Sequence, residues 1–170
     1  LLTAAQVLID AGHEVTFIEA AARNFSPTET YRLVLEFQPV LLVIHATTPS
    51  IYNDIEQAKV IKKQNTCQVA FVGQHVTAEP DNTFQIGQGV VDYILRREYD
   101  YTLLDLANGL APKDILGLSW IQGTHVTHNA DRPALDVNTL PFPAWQLIEP
   151  EWYPDAGKKF PFLTLLSGRG

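Results

Sequence analysis

Between residues 39 and 46 the chain carries an unbroken apolar run, Val40-Leu41-Leu42-Val43-Ile44, entered through Pro39 and left through Thr47-Thr48-Pro49-Ser50. A strand with one wet face alternates apolar and polar residues, so a run without alternation predicts a strand covered on both faces, as in a parallel sheet flanked by helices. The segments on either side agree. Ser26-Pro27-Thr28-Glu29 reads as a helix start, with Ser26 as N-cap, Pro27 at the first helical position and Glu29 closing a capping box. That helix stops near Gln38, because Pro39 cannot continue it. After the run, residues 51–63 place Ile51, Ile55, Ala58 and Ile61 on one helical face.

The same alternation extends over residues 1–110. Residues 1–11 predict a helix closed by Gly12, and residues 13–20, with Val15, Phe17 and Ile18, a short strand. Residues 68–72 predict a buried strand that ends in Gly73-Gln74-His75, and residues 77–87 an irregular stretch. A further strand is expected over 90–95 and a helix over 102–108, closed by Gly109. Strands alternating with helices imply right-handed crossovers and a doubly wound, flavodoxin-like (Rossmann-like) parallel α/β sheet. Such folds begin with a strand, whereas this chain begins with a helix. Either a first strand lies upstream or residues 1–2 are its remnant. Residues 116–128 read as a β-hairpin turning at Gln122-Gly123-Thr124. Residues 129–170, rich in Pro, Asp and Trp, read as an ordered linker that wraps a neighbour, because Leu140, Phe142, Trp145, Trp152 and Tyr153 are too apolar for a free tether. The expected divisions are therefore 1–112, 113–128 and 129–170.

Composition excludes some functions. The 12 basic and 19 acidic residues leave a net charge of −7, with no basic footprint for nucleic acid. No apolar run reaches the roughly 18 residues of a membrane span. One cysteine, Cys67, rules out an internal disulfide, and no secretory leader is visible; both suit a cytoplasmic protein. Methionine is absent even at position 1, which favours a fragment of a longer chain.

Ligands of doubly wound sheets bind outside the carboxyl ends of the strands. The loops there are 46–50, 73–77 and 95–100. Thr47, Thr48 and Ser50 offer hydroxyls and backbone N–H groups at a helix start, and equally suit plain capping. Gly73 lets a flat ligand approach the backbone, or is a turn glycine. His75 offers a metal ligand or a hydrogen-bond donor, or is merely solvated. His125 and His128 fall on opposite faces of their strand and cannot easily share a metal. Neither a Gly-x-Gly-x-x-Gly loop nor a Walker loop nor a Gly-x-Ser-x-Gly elbow is present, and the residues alone carry the reading no further than a doubly wound binding domain.

Several segments in order nevertheless resemble one family. Residues 2–20, with Ala11-Gly12-His13-Glu14-Val15 at their centre, resemble the helix and strand near the start of the cobalamin-binding domains of cobalamin-dependent radical S-adenosylmethionine (SAM) proteins. Residues 39–48 are similar to their strand ending in a Ser/Thr loop. Gly73-Gln74-His75-Val76-Thr77 is similar to their Gly-Gly-x-His-x-Thr loop. Asp92-Tyr93-Ile94 with Arg97-Glu98-Tyr99-Asp100, the hairpin, Leu140-Pro141-Phe142-Pro143, and Ser167-Gly168-Arg169-Gly170 follow in the family's order, the last resembling the segment before a Cys-x-x-x-Cys-x-x-Cys loop. The departures are Gln74 in place of a second glycine, and Arg97 and Tyr99 where glycine is usual.

The resemblance implies a cobalamin lying over the strand ends. It would be touched by Thr47, Thr48, Ser50, Gly73, Gln74, His75, Glu98 and Tyr99. It also implies a downstream radical SAM domain of the same chain, with a 4Fe-4S cluster and S-adenosylmethionine, and no turnover by these residues alone. Methyl transfer and tetrapyrrole-cyclase-like chemistry stay open, and so does a cobalt ligand, since the Asp-x-His-x-x-Gly motif is absent. The competing expectation is a flavodoxin- or receiver-like docking module that binds no corrin.

Overall fold

A computed structural model describes residues 1–154 and 157–163. Five strands form one sheet in the order β1-β2-β3-β4-β5: β1 Leu41–His45, β2 Gln68–Val72, β3 Tyr93–Leu95, β4 Leu118–Gln122 and β5 His125–His128. The pairs β1/β2 and β2/β3 are parallel; β3/β4 and β4/β5 are antiparallel. The sheet is thus α/β and mixed. The hairpin extends it beyond β3 instead of hanging from it, and Ile115 and Leu118 share a core with Leu95 and Leu103.

Strand alternation sends each strand's side chains to two helical layers. Leu42, Ile44, Val69, Phe71 and Ile94 meet Val34 of α2 (Pro27–Phe37) and the Ile51, Ile55, Ala58, Ile61 face of α3 (Ile51–Lys62). Leu41, Val43, Ala70, Val72 and Leu95 meet Ala4 and Leu8 of α1 (Leu2–Asp10) and, from the last helix, Leu103 and Leu106. The α2 start is as expected: Glu29 N–H donates to the Ser26 hydroxyl at 3.2 Å, and Ser26 N–H donates back to the Glu29 carboxylate at 2.8 Å. Gln38 ends the helix in the left-handed conformation, with φ of 53°.

Three expectations need correction. Residues 13–19 form no strand, because no neighbour among the described residues offers them a ladder; Ile18 only packs against the core. For the same reason β1 is an edge strand. Both its faces meet helices, as the apolar run predicts, but at the sheet edge residues 41–44 stay only half-buried and Val40 is 82% exposed. Residues 77–87 are not irregular. They lie largely in α4 (Gln74–Ala78) and α5 (Pro80–Ile86), the second started by Pro80 and Asp81. Finally, Leu1 caps α1 and Leu2 is helical, so residues 1–2 are no strand remnant. The last helix, α6, runs Asp100–Ala107.

The segment after the hairpin packs on the body. Arg132 pairs with Asp105 and donates to the Thr102 hydroxyl at 3.0 Å. Ala144 N–H donates to the Leu2 carbonyl at 3.1 Å, and both Ala144 and Ile148 are buried. The Arg23 guanidinium stacks between Phe25 and Trp152, 4.3 and 4.6 Å from the ring centres. Phe142 departs from the expectation: it is 89% exposed. The expected strand over 163–166 and the Gly168-Arg169-Gly170 turn lie almost wholly outside the described residues.

Candidate functional site

At the carboxyl ends of β1, β2 and β3, three loops are tied into one surface by side-chain hydrogen bonds. The Ser50 hydroxyl accepts from Thr47 N–H at 3.0 Å and lies 2.9 Å from the Thr47 hydroxyl, closing the first loop on itself. His75 Nδ1 lies 3.2 Å from the Thr48 hydroxyl, joining the first loop to the second. The Thr77 hydroxyl accepts from Arg97 N–H at 3.0 Å, joining the second loop to the third. Of the residues expected to form the site, Thr47, Thr48, Ser50, Gly73 and His75 come together here. Gln74 is exposed at the start of α4. Glu98 is half-buried, and Tyr99 packs against the core shared by Leu95 and Leu103.

Gly73 is the pivot. Its φ of 118° is closed to L side chains, and a Cβ there would stand 2.5 Å from the Ala46 carbonyl and 3.3 Å from His45 Nε2. The bare backbone is therefore needed by the close approach of the two loops themselves, independently of any ligand. It follows that Gly73→Trp, a natural probe for a ligand crossing this backbone, would break the loop pair first.

Two residues that the motifs did not single out belong to this surface. His45, the last residue of β1, is exposed, and its ring lies beside Gly73. Surrounding protein atoms desolvate the imidazole and hold its pKa below the usual histidine value, against the pull of Asp54 and Glu19. Asp54, in the first turn of α3, has its carboxyl pushed up by burial, against the pull of Ser50 and His45. Asp54 Oδ2 and His75 Nε2 are buried without a hydrogen-bond partner. No pattern of spacing marks His45, since its neighbours in sequence are ordinary strand residues; only the parallel pairing with β2 brings it to Gly73.

Elsewhere the polar groups serve the fold. Asp92 Oδ2 accepts from Lys62 at 2.6 Å and from Val69 N–H at 2.7 Å, pinning α3 to the sheet. Ser119, His128 and Asp81 line up at 2.8 and 3.2 Å, the order of a catalytic triad. Ser119 is fully buried and also accepts from Arg96, so no substrate reaches it; the line fastens the hairpin to α5. Cys67 is buried and its thiol is pushed up by desolvation, which makes it inert.

The fold matches parts of solved radical S-adenosylmethionine enzymes. The cobalamin-dependent S-adenosylmethionine radical enzyme OxsB matches 84% of this chain with a TM-score of 0.72 at 17% identity, over 21% of its own length. The radical S-adenosylmethionine methyltransferase TsrM from Kitasatospora setae, solved with cobalamin and a [4Fe-4S] cluster bound, matches 76% with a TM-score of 0.67 at 17% identity, over 27% of its length. In sequence, an uncharacterized methyltransferase of Pyrococcus horikoshii is 29% identical over 164 residues, which are 93% of this chain and 35% of the relative. The chain thus spans about a third of that relative. No family model matches it. Among the described residues no helix is long and apolar enough to cross a membrane.

Proposed function

We propose that this chain is a cobalamin-binding domain that works beside a radical SAM domain of the same protein. The observation that carries the reading is the surface joined over the ends of β1, β2 and β3 by the Thr48–His75 and Thr77–Arg97 hydrogen bonds, on which the Thr47, Thr48 and Ser50 hydroxyls lie. The residues suit the group. Two buried polar atoms, Asp54 Oδ2 and His75 Nε2, face no protein partner, and the Thr47, Thr48 and Ser50 hydroxyls and the Gln74 amide can meet the amide side chains of a corrin. Bound there, cobalamin would supply methyl-carrier or redox chemistry, with the cluster and S-adenosylmethionine supplied by the partner domain.

The share of this chain is positional. Hydroxyls of the first loop would orient the macrocycle, and the Thr48–His75 and Thr77–Arg97 contacts keep the three segments from moving apart. Similarity to the methyltransferase of Pyrococcus horikoshii and to the methyltransferase TsrM favours methyl transfer over cyclase-like chemistry. Titration of hydroxocobalamin, followed by gel filtration and the visible spectrum of the protein peak, tests the reading. Retained corrin is the expected result. A colourless protein peak with an intact fold by circular dichroism would favour a docking module that binds no corrin.

A further inference from the structure

We propose that a further strand, formed by residues that precede Leu1 in the protein, inserts between β1 and residues 14–18 and pairs with β1 in parallel; the proposal does not depend on the cobalamin reading. Two stretches of backbone lack a ladder partner here. Ala46 N–H donates to the Val72 carbonyl, and Gln68 N–H to the Val40 carbonyl, both at 2.9 Å. Peptide groups alternate sides along a strand, so the even-numbered residues of β1 bond to β2, and Leu41, Val43 and His45 turn their N–H and C=O groups to the open edge. Among the described residues, the backbone of residues 14–18 neither gives nor takes a backbone hydrogen bond. Both stretches are apolar and only half-buried, with Leu41, Leu42, Val43 and Ile44 in one and Val15, Phe17 and Ile18 in the other. Ile18 packs on the same core as Leu42 and Ile44.

The helices fix where the strand goes. α1 lies on the face of the sheet that holds α6, whereas α2 and α3 lie on the opposite face. Parallel strands joined through a helix make right-handed crossovers, and two such crossovers put their helices on opposite faces when they step along the sheet in opposite directions. α3 carries the chain from β1 to β2, so α2, on the same face, carries it the same way, from residues 14–18 to β1. α1 therefore carries it the other way, from a strand that lies on the β1 side of residues 14–18. β2 occupies the inner side of β1, which leaves the open edge of β1 as the place for that strand. Its direction follows from α1. His13, just past α1, has its Nε2 2.9 Å from Oδ1 of Asn108, the C-cap of α6. The two helices thus run side by side in one direction, and α6 starts from the carboxyl end of β3. So α1 also starts at the carboxyl ends of the strands, as a helix fed by a parallel strand does. The turn from the inserted strand into α1 adds a fourth loop to that end of the sheet.

Hydrogen exchange of the full-length protein, resolved to single amides, tests the pairing. The amides of Leu41, Val43 and His45 should exchange as slowly as those of Leu42 and Ile44, which bond to β2. Exchange at Leu41, Val43 and His45 as fast as in an unstructured peptide overturns the proposal. A photoreactive diazirine analogue of leucine at position 41 of the same full-length protein, too close in shape to leucine to disturb the fold, identifies the occupant. Cross-links from position 41 to residues upstream of Leu1 in the same chain are the expected result. Cross-links to a second chain, distinguished by mixing protein of light and heavy isotopes, assign the edge to another copy. Cross-links to residues 14–18 with none upstream mean that the two stretches close directly on each other, and cross-links to residues beyond 154 assign the edge to a downstream segment. Any of these three results overturns the proposal, even with the amides protected.

Discussion

Single residues carry two consequences. Gly73 combines a φ of 118° with a neighbouring carbonyl 2.5 Å from any Cβ. Gly73→Ala should therefore lower stability by about 2 kcal/mol or more, the scale of one strained backbone site plus a clash that the loops must relax. A shift of the urea midpoint at unchanged slope checks it. Asp54 sets a pH dependence. Its folded pKa is raised, so over the acidic window from the unfolded value up to the folded one the native state holds more protons than the unfolded state. Stability falls as pH rises through that window, and above it the ionised carboxylate is a standing cost. Asp54→Asn should flatten this part of the melting-temperature profile, and at neutral pH should leave the protein as stable as wild type or more so. A drop at neutral pH would show that the charge is held favourably after all.

At the scale of elements, the α2 start and the hairpin anchor behave differently because one is solvated and the other is not. Ser26→Ala removes an exposed capping box and should cost about 1 kcal/mol, read as a small fall in melting temperature. Arg96 is 8% exposed. It donates to the Leu118 and Asn129 carbonyls and to the Ser119 hydroxyl, and it pairs with Asp131 at 2.9 Å. Removing it strands several buried acceptors, so Arg96→Met should cost about 3 kcal/mol, and hydrogen exchange should quicken in β4 and β5 before it does in β1 and β2. Uniform loss of protection would mean that the hairpin and the parallel strands open as one unit.

For the whole molecule, residues 129–154 act as a strap, joined to α6 through Arg132, to α1 through Ala144 and Gln146, and to residues 19–25 through Tyr153 and Trp152. Its amides over 140–153 should exchange more slowly than those of an unstructured tail. Trp152→Ala should release the last turn of the strap, at about 1 kcal/mol for the lost stack on Arg23. Fast exchange across 140–153 in the wild-type chain would show the strap to be loose.

What the order of residues determined by itself is local. The capping box at Ser26, the Ile51-Ile55-Ala58-Ile61 face, the Gly123 turn and the parallel crossovers follow from short-range sterics and periodicity, and each stands where the residues put it. The first two site loops were legible for the same reason, since strand ends mark where ligands of such sheets sit. Tertiary structure alone decided which strand has neighbours. Residues 13–19, with Val15, Phe17 and Ile18, read as a strand, yet a strand exists only through its ladder partner. The same reasoning explains His45 and Asp54. Nothing in spacing separates them from ordinary strand and helix residues, and only the pairing of β1 with β2 and the packing of α3 bring imidazole, carboxylate and the bare Gly73 backbone to one place.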